Sequence, residues 1–166
     1  MEPYSSQDQI SPAALDILRE SGWYAGRDVS PSFMLPVQFT TFQEAEKVLK
    51  EFGGLRIGKC GAGIDFAAGD VEIDPGLAVH LKKELDDYER ALKLKLYPLG
   101  EAYRGDVYLV IDERGQTYLL SDELAPFAPS FPRTLEMLLL GKNADAAEIE
   151  TAWKKRPTWH ISLRSE

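Results

Sequence analysis

The stretch Val107-Tyr108-Leu109-Val110-Ile111-Asp112-Glu113-Arg114-Gly115-Gln116-Thr117-Tyr118-Leu119-Leu120 decides the fold class. Val107 to Ile111 alternates as a strand does, Glu113-Arg114-Gly115 reverses the chain, and Gln116 to Leu120 returns, which predicts a β-hairpin. On its C-terminal side, Pro132 to Leu140 has helical spacing with Leu135, Leu138 and Leu139 inward, and Gly141 supplies a stop. On its N-terminal side, Asp74-Pro75 opens a long helix: a capping carboxylate satisfies a free N–H and suits the helix dipole, and proline fits the first position. Leu77, Leu81, Leu85, Tyr88 and Leu92 form the apolar stripe of that helix, and Glu84, Asp86, Asp87 and Glu89 occupy the opposite, wet side. Pro98 and Gly100 break the pattern before the hairpin.

Further out, Ser11 caps a helix that has Pro12 at its first position, buries Ala14, Leu15, Ile17 and Leu18, and stops at Gly22. A second helix begins at Thr41, where Thr41 and Glu44 have capping-box spacing, and its stripe Ala45, Val48, Leu49, Phe52 runs into Gly53-Gly54. Leu55–Ile57, Ile64–Phe66 and Val71–Ile73, separated by glycines, read as three short strands in a meander. The tail from Asn143 adds one or two helical turns before Pro157. Clustered helices and strands with hairpin connections predict an α+β domain with a mostly antiparallel, mixed sheet flanked by helices.

The 166 residues carry 27 acids and 19 bases, a net charge of −8, and they are 44% hydrophobic, as in an ordinary soluble domain. A single cysteine, Cys60, excludes an internal disulfide, and with two histidines a Cys/His zinc cage cannot be assembled. No apolar run reaches the roughly 18 residues of a membrane span, and Met1-Glu2-Pro3-Tyr4 lacks the character of a signal peptide, so a cytoplasmic location is expected. A pI near 4.9 argues against nucleic acid as partner and suits a basic protein. The charge is concentrated. Asp65 to Arg90 holds eight acids against three bases, and Glu101 to Leu124 six against two, while the end of the chain is slightly basic through Lys154, Lys155, Arg156 and Arg164.

Gly58-Lys59-Cys60-Gly61-Ala62-Gly63 lacks the Lys-Ser/Thr and following helix of a phosphate loop and reads as a glycine-rich turn. Nothing in the spacing pairs Cys60 with His80 or His160 as nucleophile and base, and 27 acids offer no way to select a catalytic pair, so no catalytic residue, metal ligand or cofactor site is assigned. Trp23 and Tyr24 are expected to be core plugs that dock the first helix on the sheet. Trp153 and Trp159 either fold back as a lid or face a partner or a homodimer. The helix acids Asp86, Asp87 and Glu89, with Asp106 beyond them, are either a solvated face or a partner surface.

Gly22-Trp23 followed by Gly26-Arg27, Glu51-Phe52-Gly53-Gly54-Leu55, Tyr97-Pro98-Leu99-Gly100-Glu101, Val110-Ile111-Asp112 with Gly115, and Leu135-Glu136-Met137-Leu138-Leu139-Leu140-Gly141 share an order and spacing. In these the chain resembles the SUKH superfamily of bacterial immunity proteins, which also includes the yeast cell-wall regulators of the Smi/Knr type, and most of all its third immunity subfamily. The resemblance implies a SUKH-like domain over residues 1–141; residues 142–166 lie outside it and are expected to form a tail extension packed on the same domain. It also implies a non-catalytic protein that neutralises a cognate polymorphic toxin domain, often a nuclease or deaminase. The alternative on the same fold is a cytoplasmic regulatory or scaffold module. Matched positions are mostly Gly, Pro and apolar, so the resemblance carries no binding residue across. An acidic inhibitor gains association rate against a basic groove, which makes Asp86, Asp87, Glu89 and Asp106 the expected toxin-facing residues.

Overall fold

Strands β1 (Arg56–Ile57), β2 (Val71–Glu72), β3 (Leu96–Ala102), β4 (Val107–Asp112), β5 (Thr117–Leu120) and β6 (Leu124–Ala128) form one sheet in chain order. Every neighbouring pair is antiparallel, so the sheet is a meander with no mixed segment. This is a computed structural model, and it describes residues 9–30 and 32–143. Helices α1 (Pro12–Glu20), α2 (Gln43–Phe52), α3 (Lys82–Leu92) and α4 (Phe131–Leu140) pack around the sheet.

Alternation along the strands sorts the helices onto two faces. Thr117 Oγ1 lies 2.6 Å from Thr134 Oγ1, so Thr117 points at α4. Its neighbours in register, Ile111 and then Tyr97, point the same way, and the Tyr97 ring meets Phe39 and Phe42 edge-on just ahead of α2. Tyr118 points to the opposite face, together with Tyr108, whose hydroxyl lies 3.1 Å from His80 Nε2 at the entry to α3. Tyr88 of α3 accepts the Leu124 N–H at 3.1 Å and ties this helix to the start of β6. β3 is buried along nearly its whole length because it lies between the two layers.

The predicted start of α1 is observed: Ser11 Oγ accepts from Ala14 N, Pro12 occupies the first position, and the Ser11 N–H in turn donates to the buried Glu136 carboxylate of α4. Trp23 is buried, stacks on Phe52 at 6.5 Å and donates to Glu51 Oε1. Tyr24 is no core plug; it is 60% exposed, because the turn after α1 directs the two side chains to opposite sides. At α2 the capping position is Phe42. Thr41 precedes it and bonds Glu46, while Glu44 turns to Lys47, so the expected Thr41–Glu44 box is not formed.

Three expectations about elements are corrected. The helix opened by Asp74-Pro75 starts as a 3-10 helix over Pro75–Leu81, with Asp74 accepting from Gly76 N, and becomes α3 only at Lys82. Pro98 and Gly100 do not end an element but sit inside β3, where the register shifts between them. Ile64–Phe66 is not a strand. Its N–H groups turn to the Leu140 and Gly141 carbonyls and satisfy the C-terminal end of α4, so β1 pairs directly with β2. The tail expectations from residue 144 onward, including Trp153, Trp159 and His160, lie outside the described residues.

Tyr97 supplies a test of the core. Its hydroxyl is buried with no hydrogen-bond partner among the described residues, and burial, reinforced by the Glu46 carboxylate, pushes its pKa from 10.0 up to about 12. The unfolded chain releases this proton near 10, whereas the native chain keeps it to about 12. The native state therefore binds the extra proton between those values, and stability falls as pH rises through that window, by about 2–3 kcal/mol in total. Urea midpoints measured from pH 8 to 12 are expected to show this alkaline loss. Tyr97→Phe should remove most of it and, at neutral pH, be neutral or stabilising by about 1 kcal/mol, because no hydrogen bond is lost.

Candidate functional site

The acids of α3 sit on a half-exposed side of the helix among bases of the same element. Asp86 Oδ1 is 2.5 Å from Lys82 Nζ, and Asp87 bonds Lys83 at 3.2 Å and Arg90 from the other side. These are the i,i+3 and i,i+4 spacings that the helix surface brings together. The Lys83 hydrogen bond, with Arg90 adding, holds the Asp87 carboxyl below the ordinary aspartate range. Glu89 turns inward to the backbone and accepts the Leu96 N–H at 2.8 Å, so it anchors the entry to β3. The segment with the largest excess of acids is thus partly neutralised where it folds.

Asp106 has a different setting. It is exposed in the Tyr103–Asp106 turn between β3 and β4, and the register that pairs Tyr108 with Leu120 brings that turn beside the Ser121–Glu123 turn between β5 and β6. Asp122 and Glu123 are exposed there, and among the described residues no ion pair reaches Asp106, Asp122 or Glu123. Through the Tyr88–Leu124 bond this turn borders α3. Asp106 therefore shares one end of the meander with Asp122 and Glu123, which the sequence reading did not single out. Their signal was the strand order: a meander puts alternate turns at the same end.

The remaining candidates resolve into structural roles. Cys60 Sγ lies 3.3 Å from Asp70 Oδ1, the same oxygen that accepts the Arg104 N–H, while His80 is engaged by Tyr108. The two are not brought together. The glycine-rich segment forms the loop between β1 and β2, closed by a bridge between Gly61 and Ala68. Among the described residues no three His, Cys, Asp or Glu side chains converge as a metal site would require, and no helix is long and apolar enough to cross a membrane.

Residues 10–147 match the model of the family described as SUKH-3 immunity protein. The chain belongs to the SUKH-3 immunity protein family. The match takes in β1 to β6 and α1 to α4. Comparison with curated proteins and with solved structures gave no match. In this SUKH-3 protein the motif residues have readable structural work. Arg27 donates to the Glu51 and Gly53 carbonyls at 2.6 and 2.9 Å, closing the C-terminal end of α2 beneath Trp23. Tyr97 to Glu101 lies within the doubly covered strand, and Gly141 takes the left-handed exit of α4 at φ +59°.

Proposed function

We propose that this SUKH-3 protein is a cytoplasmic immunity protein that binds a cognate polymorphic toxin domain and neutralises it by contact rather than by catalysis. Family membership carries this reading. The toxin domain is basic, of the nuclease or deaminase kind, and it approaches the acidic end formed by Asp106, Asp122 and Glu123 with Asp86 and Asp87 of the adjoining α3, whereas Glu89, spent on the Leu96 N–H toward the other end of the meander, is left out of the contact. A positively charged groove is attracted to such a surface from a distance, which raises the association rate and makes it sensitive to salt.

The pairing pattern ranks these residues. Lys82, Lys83 and Arg90 already offset Asp86 and Asp87, whereas Asp106 and Asp122 contribute undivided charge. Mixing the purified protein with the toxin domain encoded beside it should give a complex and an inactive toxin. In stopped-flow measurements at low salt, Asp106→Lys with Asp122→Lys should slow association about tenfold, with a smaller effect from Asp86→Lys with Asp87→Lys and little change in release. No complex, or an active toxin within the complex, rejects the immunity reading. An association rate indifferent to both charge reversals moves the toxin to another face.

A further inference from the structure

From Ser32 to Gln43 twelve residues carry no charge, in a chain that is 28% charged. The segment is held at both ends. The Val29 N–H donates to the Lys50 carbonyl and the Phe33 N–H to the Val29 carbonyl, both at 2.9 Å, while Phe39 is buried against Tyr97. Between these anchors Met34 is 90% and Val37 96% exposed, with Leu35 beside them. Next to them lies a cleft of about 300 Å³ lined by Ser30, Phe33, Leu35, Glu46, Leu49 and Lys50. That is the small end of the roughly 300–1,000 Å³ range of ligand pockets, room for one apolar side chain.

We propose that this surface, the Ser32–Gln43 segment with the outer side of α2, is where a second copy of this chain docks about a two-fold axis. A two-fold interface must be complementary to itself. Here the projecting apolar side chains and the apolar recess are neighbours on one molecule, so Met34 of each copy can enter the cleft of the other. The charges at the cleft meet the same condition. Glu46 and Lys50 stand one turn apart on α2, and a two-fold axis between paired α2 helices sets Glu46 of one copy against Lys50 of the other. Their present partners, Thr41 at 2.6 Å for Glu46 and Asp28 at 3.7 Å for Lys50, leave acceptor and donor positions open. Two chains of net charge −8 repel each other over most of their surfaces, and an uncharged segment is where they can approach most closely. A basic toxin is drawn instead to the acidic end. With Met34, Leu35 and Val37 as its exposed apolar anchors, the dimer is expected in the micromolar range or weaker.

Sedimentation equilibrium of the full chain over roughly 5–500 μM, a range that brackets a micromolar dissociation constant, tests this. A monomer–dimer equilibrium is expected, and Met34→Glu and Val37→Glu should each weaken it at least about tenfold, as loss of an interface anchor does. Both side chains are exposed, so thermal unfolding of the variants should match the parent. Glu46→Lys should weaken the dimer, and Glu46→Lys combined with Lys50→Glu should restore it, which a merely structural role would not do. A chain that stays monomeric throughout, or a dimer indifferent to Met34→Glu, overturns the proposal. A monomeric chain whose toxin capture is abolished by Met34→Glu overturns it as well and assigns the surface to the toxin.

Discussion

Gly100→Ala is expected to lower the melting temperature by about 6–20 °C, the shift that about 3–5 kcal/mol produces in a domain of this size. Gly100 lies in β3 with φ +152°, a conformation that side chains rarely adopt. A Cβ there would sit 1.8 Å from the Glu72 carbonyl oxygen and 2.8 Å from the Asp74 N. Both are backbone atoms, so no rotamer change relieves the contact. Relief requires pulling β2 away from β3, and with it the Asp74 cap that starts the 3-10 helix. Overpacking alone costs about 1–3 kcal/mol, and strained backbone adds about 1–3 more. Gly61→Ala is the control, because nothing lies within 4 Å of its added methyl and a change within about 0.5 kcal/mol is expected. Thermal unfolding followed by circular dichroism separates the two. A Gly100→Ala protein as stable as the Gly61→Ala protein would show that β2 and β3 are not locked at this point.

The same residue explains what could be read from the sequence and what could not. α1, α4 and the β4–β5 hairpin announce themselves locally, through Ser11-Pro12, Gly141 and the Glu113-Arg114-Gly115 turn, and local signals suffice where the neighbours in space are neighbours in sequence. β3 is hidden because Pro98 and Gly100 are ordinarily strand breakers. Proline is tolerated because β2 pairs only with Glu101 and Ala102, so β3 has no second strand beside it at Pro98. Glycine is required by the close approach of β2. β6 is hidden in the same way by Pro126, on the edge of the sheet where a missing N–H breaks no outer ladder. Ile64–Phe66 has strand composition but spends its backbone hydrogen bonds on the end of α4, a partner that no local pattern predicts. The candidate surface was legible as a surplus of acids along the chain. Which acids keep their charge undivided depends on pairing and on turn adjacency, and those are properties of the folded meander.

Asp112→Ala is expected to cost about 3–5 kcal/mol, the range for removing one member of a buried polar network. Asp112 is fully buried at the end of β4, and its carboxylate holds the hairpin turn together. It accepts the Arg114 N–H at 2.8 Å, the Gln116 N–H at 3.2 Å and the Tyr118 hydroxyl at 2.7 Å, with the Arg114 guanidinium 3.4 Å away. Truncation withdraws the acceptor from these donors, the Gln116 N–H and the Tyr118 hydroxyl among them in buried surroundings, and leaves a void between β4 and β5. Asp112→Asn keeps one oxygen and most of the volume, so its loss should be smaller. The sharper measurement is a double-mutant cycle on urea midpoints. Tyr118→Phe removes the hydroxyl that donates to Asp112, so the double variant should be less destabilised than the sum of the two by about 1–3 kcal/mol. Strict additivity would mean that the carboxylate acts on the turn alone. This turn is at the opposite end of the meander from Asp106 and Asp122, so the association rate of folded Asp112→Ala protein with a toxin domain should equal that of the parent. Loss of protection by this variant would then follow from the fraction folded, whereas loss caused by the acidic end would appear in the rate itself.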